Sequence, residues 1–138
     1  MLGERVTHEH PVRIYYEDTD HSGVVYHANY LKYFERARTH VLGPDELVRL
    51  YRDEDVGFVV YKVNLHYRAP AVHGDELVIR STLTEGSRYR IVFDQSVWRK
   101  DGTQALVEGS VQLACVNGEG KLVPVPQSIL DRIRNDAV

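Results

Sequence analysis

Apolar residues recur at two spacings along this chain, and the changes of spacing mark its elements. Val12, Ile14 and Tyr16 alternate with Arg13, Tyr15 and Glu17, which predicts a short strand over residues 11–16 after a loose lead-in at residues 1–10. Residues 18–23 have loop chemistry. Tyr30, Leu31, Phe34, Ala37, Arg38, Val41 and Leu42 then recur every three or four positions, the stripe of an amphipathic helix. That helix runs for roughly 14 residues, about 21 Å at ~1.5 Å per residue. Asn29, or a residue just before it, is placed to cap it, and Gly43-Pro44 stops it. Residues 45–53 predict a shorter helix with Leu47, Leu50 and Tyr51 inward and Asp45 as its cap.

Beyond it the period returns to two. Val59, Tyr61, Val63, Leu65 and Tyr67 alternate with polar or smaller positions until Pro70, and Leu77, Ile79 and Leu83 repeat the pattern up to a turn at Glu85-Gly86-Ser87. Tyr89, Ile91, Phe93 and Val97 lead to a hairpin turn at Lys100-Asp101-Gly102, and Ala105, Val107, Val111, Leu113 and Cys115 lead to Asn117-Gly118. Pro124 and Pro126 precede a tail helix with Ile129, Leu130 and Ile133 inward. Strand, long helix, then four strands joined by short turns is an α+β pattern with one antiparallel sheet and one main helix covering it. Strands this long leave an unpaired edge, which invites a second copy.

A chain of 138 residues fits a single domain, residues 1–138. Net charge −3 and pI near 6.1 supply no basic field, so nucleic acid and anionic membrane are not expected partners. The N-terminal ten residues carry no apolar leader, and no run is long enough to span a bilayer, so no membrane insertion and a cytoplasmic protein are expected. Cys115 is the only cysteine and lies in an apolar run, where a buried, inert thiol is expected.

A nucleophile elbow, a dinucleotide fingerprint and a phosphate loop are all missing from the sequence. His8-x-His10 is too thin for a metal site, and no metal or cofactor is expected. The dense titratable cluster is Asp18, Asp20, His21 and His27, directly upstream of the long helix. In extended backbone the two aspartates point the same way. A helix start offers unpaired N–H groups and the positive end of the dipole, so it can hold a developing oxyanion. A carboxylate beside it can attack a thioester carbonyl or deprotonate a water. The plainer alternative is that Asp-Thr-Asp before Ser22-Gly23 only caps a loop, with His27 a packing residue and Glu35 paired with Arg38 or Thr39 on the helix surface.

Tyr15-Tyr16-Glu17-Asp18-Thr19-Asp20, Gly23-Val24-Val25-Tyr26-His27-Ala28-Asn29-Tyr30 and Tyr33-Phe34-Glu35-Arg36-Ala37-Arg38 closely resemble the signature of hotdog-fold acyl-CoA thioesterases. Within these the match is to the 4-hydroxybenzoyl-CoA thioesterase-like group, in particular the Tol–Pal-associated thioesterases of bacteria. It continues through Phe58-Val59-Val60, Tyr67-Arg68-Ala69-Pro70 and Gly74-Asp75. The resemblance implies a hotdog fold, a long central helix wrapped by a five-stranded, mainly antiparallel sheet. It implies that Asp20 is the catalytic carboxylate, that the backbone N–H at His27 polarises the thioester carbonyl, with the His27 side chain assisting, and that Asp18 is structural. It places substrate contacts at Tyr16, Gly23, Val25 and Tyr26, and CoA contacts at Ser87, Arg88 and Arg90. It implies an acyl-CoA substrate and a homodimer or homotetramer with sites between subunits. His21-Ser22 departs from the pattern, where small residues or proline are frequent. Two rival functions stay open at this stage: a hotdog hydratase or dehydratase using His27 with Glu35, and a non-catalytic module binding acyl-CoA or acyl carrier protein.

Overall fold

In the computed structural model, which describes residues 6–135, five strands form one antiparallel sheet. They are β1 (His8–Arg13), β2 (Val56–Tyr67), β3 (Glu76–Ser87), β4 (Arg90–Arg99) and β5 (Ala105–Asn117), in the spatial order β1-β3-β4-β5-β2. Three helices join them: α1 (Asn29–Leu42), α2 (Pro44–Glu54) and α3 (Gln127–Asn135). The meander β3-β4-β5 follows from its short turns. The pairing of β2 with β5 is a long-range match that no local pattern encodes. None of the described helices is long and apolar enough to cross a membrane. Of the expected lead-in, residues 1–5 lie outside the described residues, and His8 to His10 are already strand.

The α1 stripe buries Tyr30, Phe34, Ala37, Arg38, Val41 and Leu42 as its spacing requires, and Tyr33 with them. Leu31 is exposed. Phe34 shares one buried apolar cluster with Ile79, Ile91, Phe93 and Val97, inward residues of β3 and β4, and with Ile129 and Ile133 of α3. Gly43 ends α1 at φ 96°, and Arg132 of α3 donates from Nη1 to the Val41 carbonyl at 2.7 Å, satisfying a carbonyl of its last turn. Cys115 is fully buried, and burial pushes its thiol up to about 11, so it stays protonated and inert.

Several local expectations are corrected. The first strand covers His8–Arg13 rather than residues 11–16, because Pro11 is tolerated on an edge strand and a 3-10 turn at Tyr16–Asp18 ends the extended run. Tyr16 is therefore exposed. The N-cap of α1 is Ala28, the residue just before Asn29, and it makes no side-chain bond; Asp45 does not cap α2, whose N-cap is Gly43. Tyr51, expected inward, is 72% exposed. The β3–β4 turn falls at Arg88-Tyr89, two residues late, and Gly86 lies where the register shifts. In β2 the register shifts between Val60 and Lys62. Val56 and Phe58 face the core before that bulge and Leu65 after it, so the inward parity changes along one strand.

Candidate active site

Residues 18–26 fold back on themselves as a small hairpin. The Asp20 N–H donates to Val24 O at 2.9 Å, Gly23 N–H donates to Asp20 O at 3.0 Å, and Tyr26 N–H donates to Asp18 O at 2.9 Å. A three-residue loop of His21, Ser22 and Gly23 results, and Gly23 takes φ 82° as such a loop requires of its last residue. Both aspartates are half-buried and both work locally. Asp18 Oδ2 accepts Tyr15 N–H at 2.7 Å, and Asp20 Oδ1 accepts Ser22 N–H at 2.8 Å. The loop-capping reading is thus correct as far as it goes. It fixes one oxygen of Asp20 and leaves the other without a partner among the described residues.

The hairpin is tied to the start of α1 at one point. Asn29 Nδ2 donates to Asp18 O at 2.9 Å, the same carbonyl that takes Tyr26 N–H. Val25 fastens the hairpin to the sheet side through its N–H to Ala71 O at 2.9 Å. The start of α1 itself is bare. No side chain caps it, no acidic residue lies in its first turn, and among the described residues the His27 and Ala28 N–H groups have no partner. Unpaired amides at the positive end of a helix dipole form an anion-stabilising position. The His27 carbonyl is held from behind by the Tyr67 hydroxyl at 3.1 Å, and its ring stands against Tyr26 (4.7 Å) and edge-on to Tyr67 (6.3 Å). Tyr30 accepts Ala71 N–H at 3.2 Å, and burial raises its phenol above the ordinary range. The Tyr33 phenol is raised further, first by burial and then by the neighbouring Asp18 carboxylate.

A cleft of about 260 Å³ opens at this helix start, lined by Val25, His27, Tyr30 and the chain from Tyr67 to Pro70. Asp20 stands on the adjoining hairpin and not in that lining. Gly23 and Tyr26 belong to the hairpin, whereas Tyr16 lies on the preceding turn with its ring 6.0 Å from His73. Ser87, Arg88 and Arg90 are not brought here. Arg90 pairs with Ala114 and so lies toward the Val59 end of β2, whereas Tyr67 at the site aligns with Val107 and Val97. Seven positions of β4 separate the two levels, roughly 23 Å at ~3.3 Å per residue. There Arg88 lies over Tyr89 and Arg90 over Tyr61. Glu35 does not pair with Arg38. It accepts the Thr39 hydroxyl at 3.2 Å while Arg38 turns inward.

This fold has close parallels. The sequence profile of the thioesterase-like superfamily matches residues 14–133. The chain belongs to that superfamily. Among thioesterase-like relatives, the acyl-CoA thioesterase YbgC of Haemophilus influenzae is 40% identical over 117 residues, 83% of this chain and 84% of that one. The acyl-CoA thioester hydrolase YbgC of Escherichia coli is 42% identical over 108 residues, 78% of this chain and 80% of its own length. In structure, a 1,4-dihydroxy-2-naphthoyl-CoA thioesterase from Synechocystis superposes with a TM-score of 0.85 at 26% identity, covering 93% of this chain and 96% of that one. Within this thioesterase-like fold, sequence reasoning missed Asn29 as a clamp and Tyr67 as the support of the His27 carbonyl. Asn before a helical stripe reads first as a cap, and a tyrosine ending a strand reads first as packing.

Proposed function

We propose that this chain is an acyl-CoA thioester hydrolase in which Asp20 attacks the thioester carbonyl or deprotonates the attacking water, while the His27 N–H receives the developing oxyanion. The observation that carries the reading is the uncapped start of α1, with its unpaired amides, clamped through Asn29 to the hairpin that bears Asp20. Acyl-CoA as substrate is supported by the names of the YbgC relatives. Tyr16, Gly23, Val25 and Tyr26 border the acyl or pantetheine path in this reading. One thioesterase domain spans the chain, α1 is the central helix the sheet wraps, and the protein works in the cytoplasm without a cofactor.

The protein acts as a homodimer or homotetramer. Val59, Val60, Tyr61, Val63 and Tyr67 are all exposed on the outermost strand β2, an apolar edge that a second copy would cover. Ser87, Arg88 and Arg90 meet CoA phosphates only across such an interface, since they are remote from Asp20 within one chain. The hydratase reading is disfavoured by spacing: His27 lies before α1 begins, and Glu35 lies six positions past its first residue, about 9 Å along the helix.

Hydrolysis of a panel of acyl-CoAs tests the assignment. Asp20→Asn should lower kcat by about 10²–10⁴. His27→Ala keeps the peptide N–H and should lose far less. Asp20→Asn with near wild-type turnover would refute the role of this carboxylate, and acyl-CoA binding without hydrolysis by the wild type would point to a binding module. Single turnover in ¹⁸O water separates the two routes: label entering Asp20 marks an anhydride, label confined to the product acid marks water attack.

A further inference from the structure

The groove between α1 and β2 holds a second cavity at its other end, about 290 Å³, walled by α1, α2, β2 and β5. Leu42, Leu47, Phe58, Val60 and Leu113 make most of that wall apolar. Arg38, 7% exposed, is also part of it, and so are the Glu35 carboxylate and Thr39. Among the described residues no carboxylate lies within ion-pair distance of this guanidinium, although the chain forms many surface ion pairs. Its Nη1 donates to Gln95 Oε1 at 3.1 Å, and Gln95 Nε2 is already committed to Phe34 O and Ser81 Oγ. Among the described residues a neutral amide is thus its one hydrogen-bond partner, and most of its N–H donors are left over. Glu35 faces Thr39 and acts on Arg38 only through its field, while burial pulls the guanidinium below its ordinary range. A buried cation without an anion is costly, and an anion arriving with a ligand offsets that cost.

We infer that this cavity binds the carboxylate of an apolar acid, with Arg38 as counter-ion and the walls from Leu42, Leu47 and Phe58 around the chain. Two sources share this chemistry. One is a free acid, such as the product of thioester hydrolysis. The other is the far carboxylate of a dicarboxylic acyl group whose thioester lies at the start of α1. Tyr30 in the first cleft and Arg38 in the second are eight helical positions apart, about 12 Å, within reach of an extended medium-length chain. The second source rests on the hydrolase reading, and the first requires only binding.

Calorimetric titration with decanoate and with decanol, no thioester present, tests the site. Wild type should bind decanoate at least about tenfold more tightly than decanol, the worth of one charge-assisted hydrogen bond. Arg38→Gln should abolish the preference, Arg38→Lys should restore part of it, and Leu47→Trp, which fills the cavity, should weaken both ligands. Equal binding of the two by wild type, or an unchanged preference in folded Arg38→Gln, would overturn the inference. So would a carboxylate from a second copy seated on Arg38 in an assembled oligomer. Should Arg38→Gln not fold, Leu47→Trp decides: unchanged decanoate affinity overturns the site and lost affinity supports it. Turnover assays then separate the sources. Decanoate inhibiting wild type but not Arg38→Gln marks the free acid. A preference for ω-carboxylated over plain acyl-CoA that vanishes in Arg38→Gln marks the far carboxylate. Because the titration contains no thioester, its failure leaves the hydrolase reading intact, and loss of that reading leaves the titration intact.

Discussion

Tyr30 and Tyr33, one turn apart on α1, are both 2% exposed but carry their hydroxyls differently. Tyr30 Oη accepts a buried N–H from Ala71, whereas Tyr33 Oη has no well-formed hydrogen bond among the described residues. Leaving a buried donor unmet costs about 1–3 kcal/mol, whereas removing an unmet hydroxyl costs little. Tyr30→Phe should therefore lower unfolding stability by that amount in a urea titration, and Tyr33→Phe by less than about 1 kcal/mol. Asp20 illustrates what one residue's letters reveal. Its place before Ser22-Gly23 was legible both as a turn-former and as a chemical group, and it is the former in fact. The Asn29 clamp was not legible, because it joins a side chain to a carbonyl 11 positions upstream.

Among the elements, α1 was read nearly to the residue, since a 3.6-residue stripe ended by Gly43-Pro44 leaves few alternatives. β2 was harder, because a bulge alters parity without altering composition. The contact between β1 and α1 has its own chemistry. His10 and His40 stack at 4.7 Å with rings 21° apart, with His8 on the same strand, Arg36 on the helix and Ser81 of β3 around them. Glu9, the adjacent acid, is turned to Arg80. Burial, then His40 and Arg36, hold His10 below its ordinary 6.5. The folded protein thus binds this proton less readily than the unfolded chain does. The contribution is full above pH 6.5 and is lost as pH falls through the lower folded value. The melting temperature should decline on acidification below about pH 6.5, and His10→Gln should flatten that decline. Between β5 and β2, a Cβ on Gly109 would run into the Asn64 carbonyl oxygen and Leu65 Cδ2. Gly109→Ala should cost about 1–3 kcal/mol, seen as a lower denaturation midpoint.

For the molecule as a whole, the class of fold was legible because helical and strand periods occupy separate blocks of sequence. Strand order was not, since hydrophobic alternation states that a strand has an inner face and not which neighbour it takes. The proposed dimer belongs to this scale too. Val63→Lys places a charge on the apolar outer strand, and sedimentation should show wild type as a dimer or larger and the variant shifted toward monomer.

The sheet order has a consequence for how the chain is made. β2 leaves the ribosome before β3, β4 and β5, yet among the described strands its single neighbour is the last of them. Through most of synthesis this valine-rich segment has neither edge occupied, and closing the long loop back to β5 is the slow event. Chains halted or cleaved before β5 should therefore be the species that aggregate or are taken up by chaperones, and mutations in β5 should show in soluble yield before they show in the stability of protein already folded.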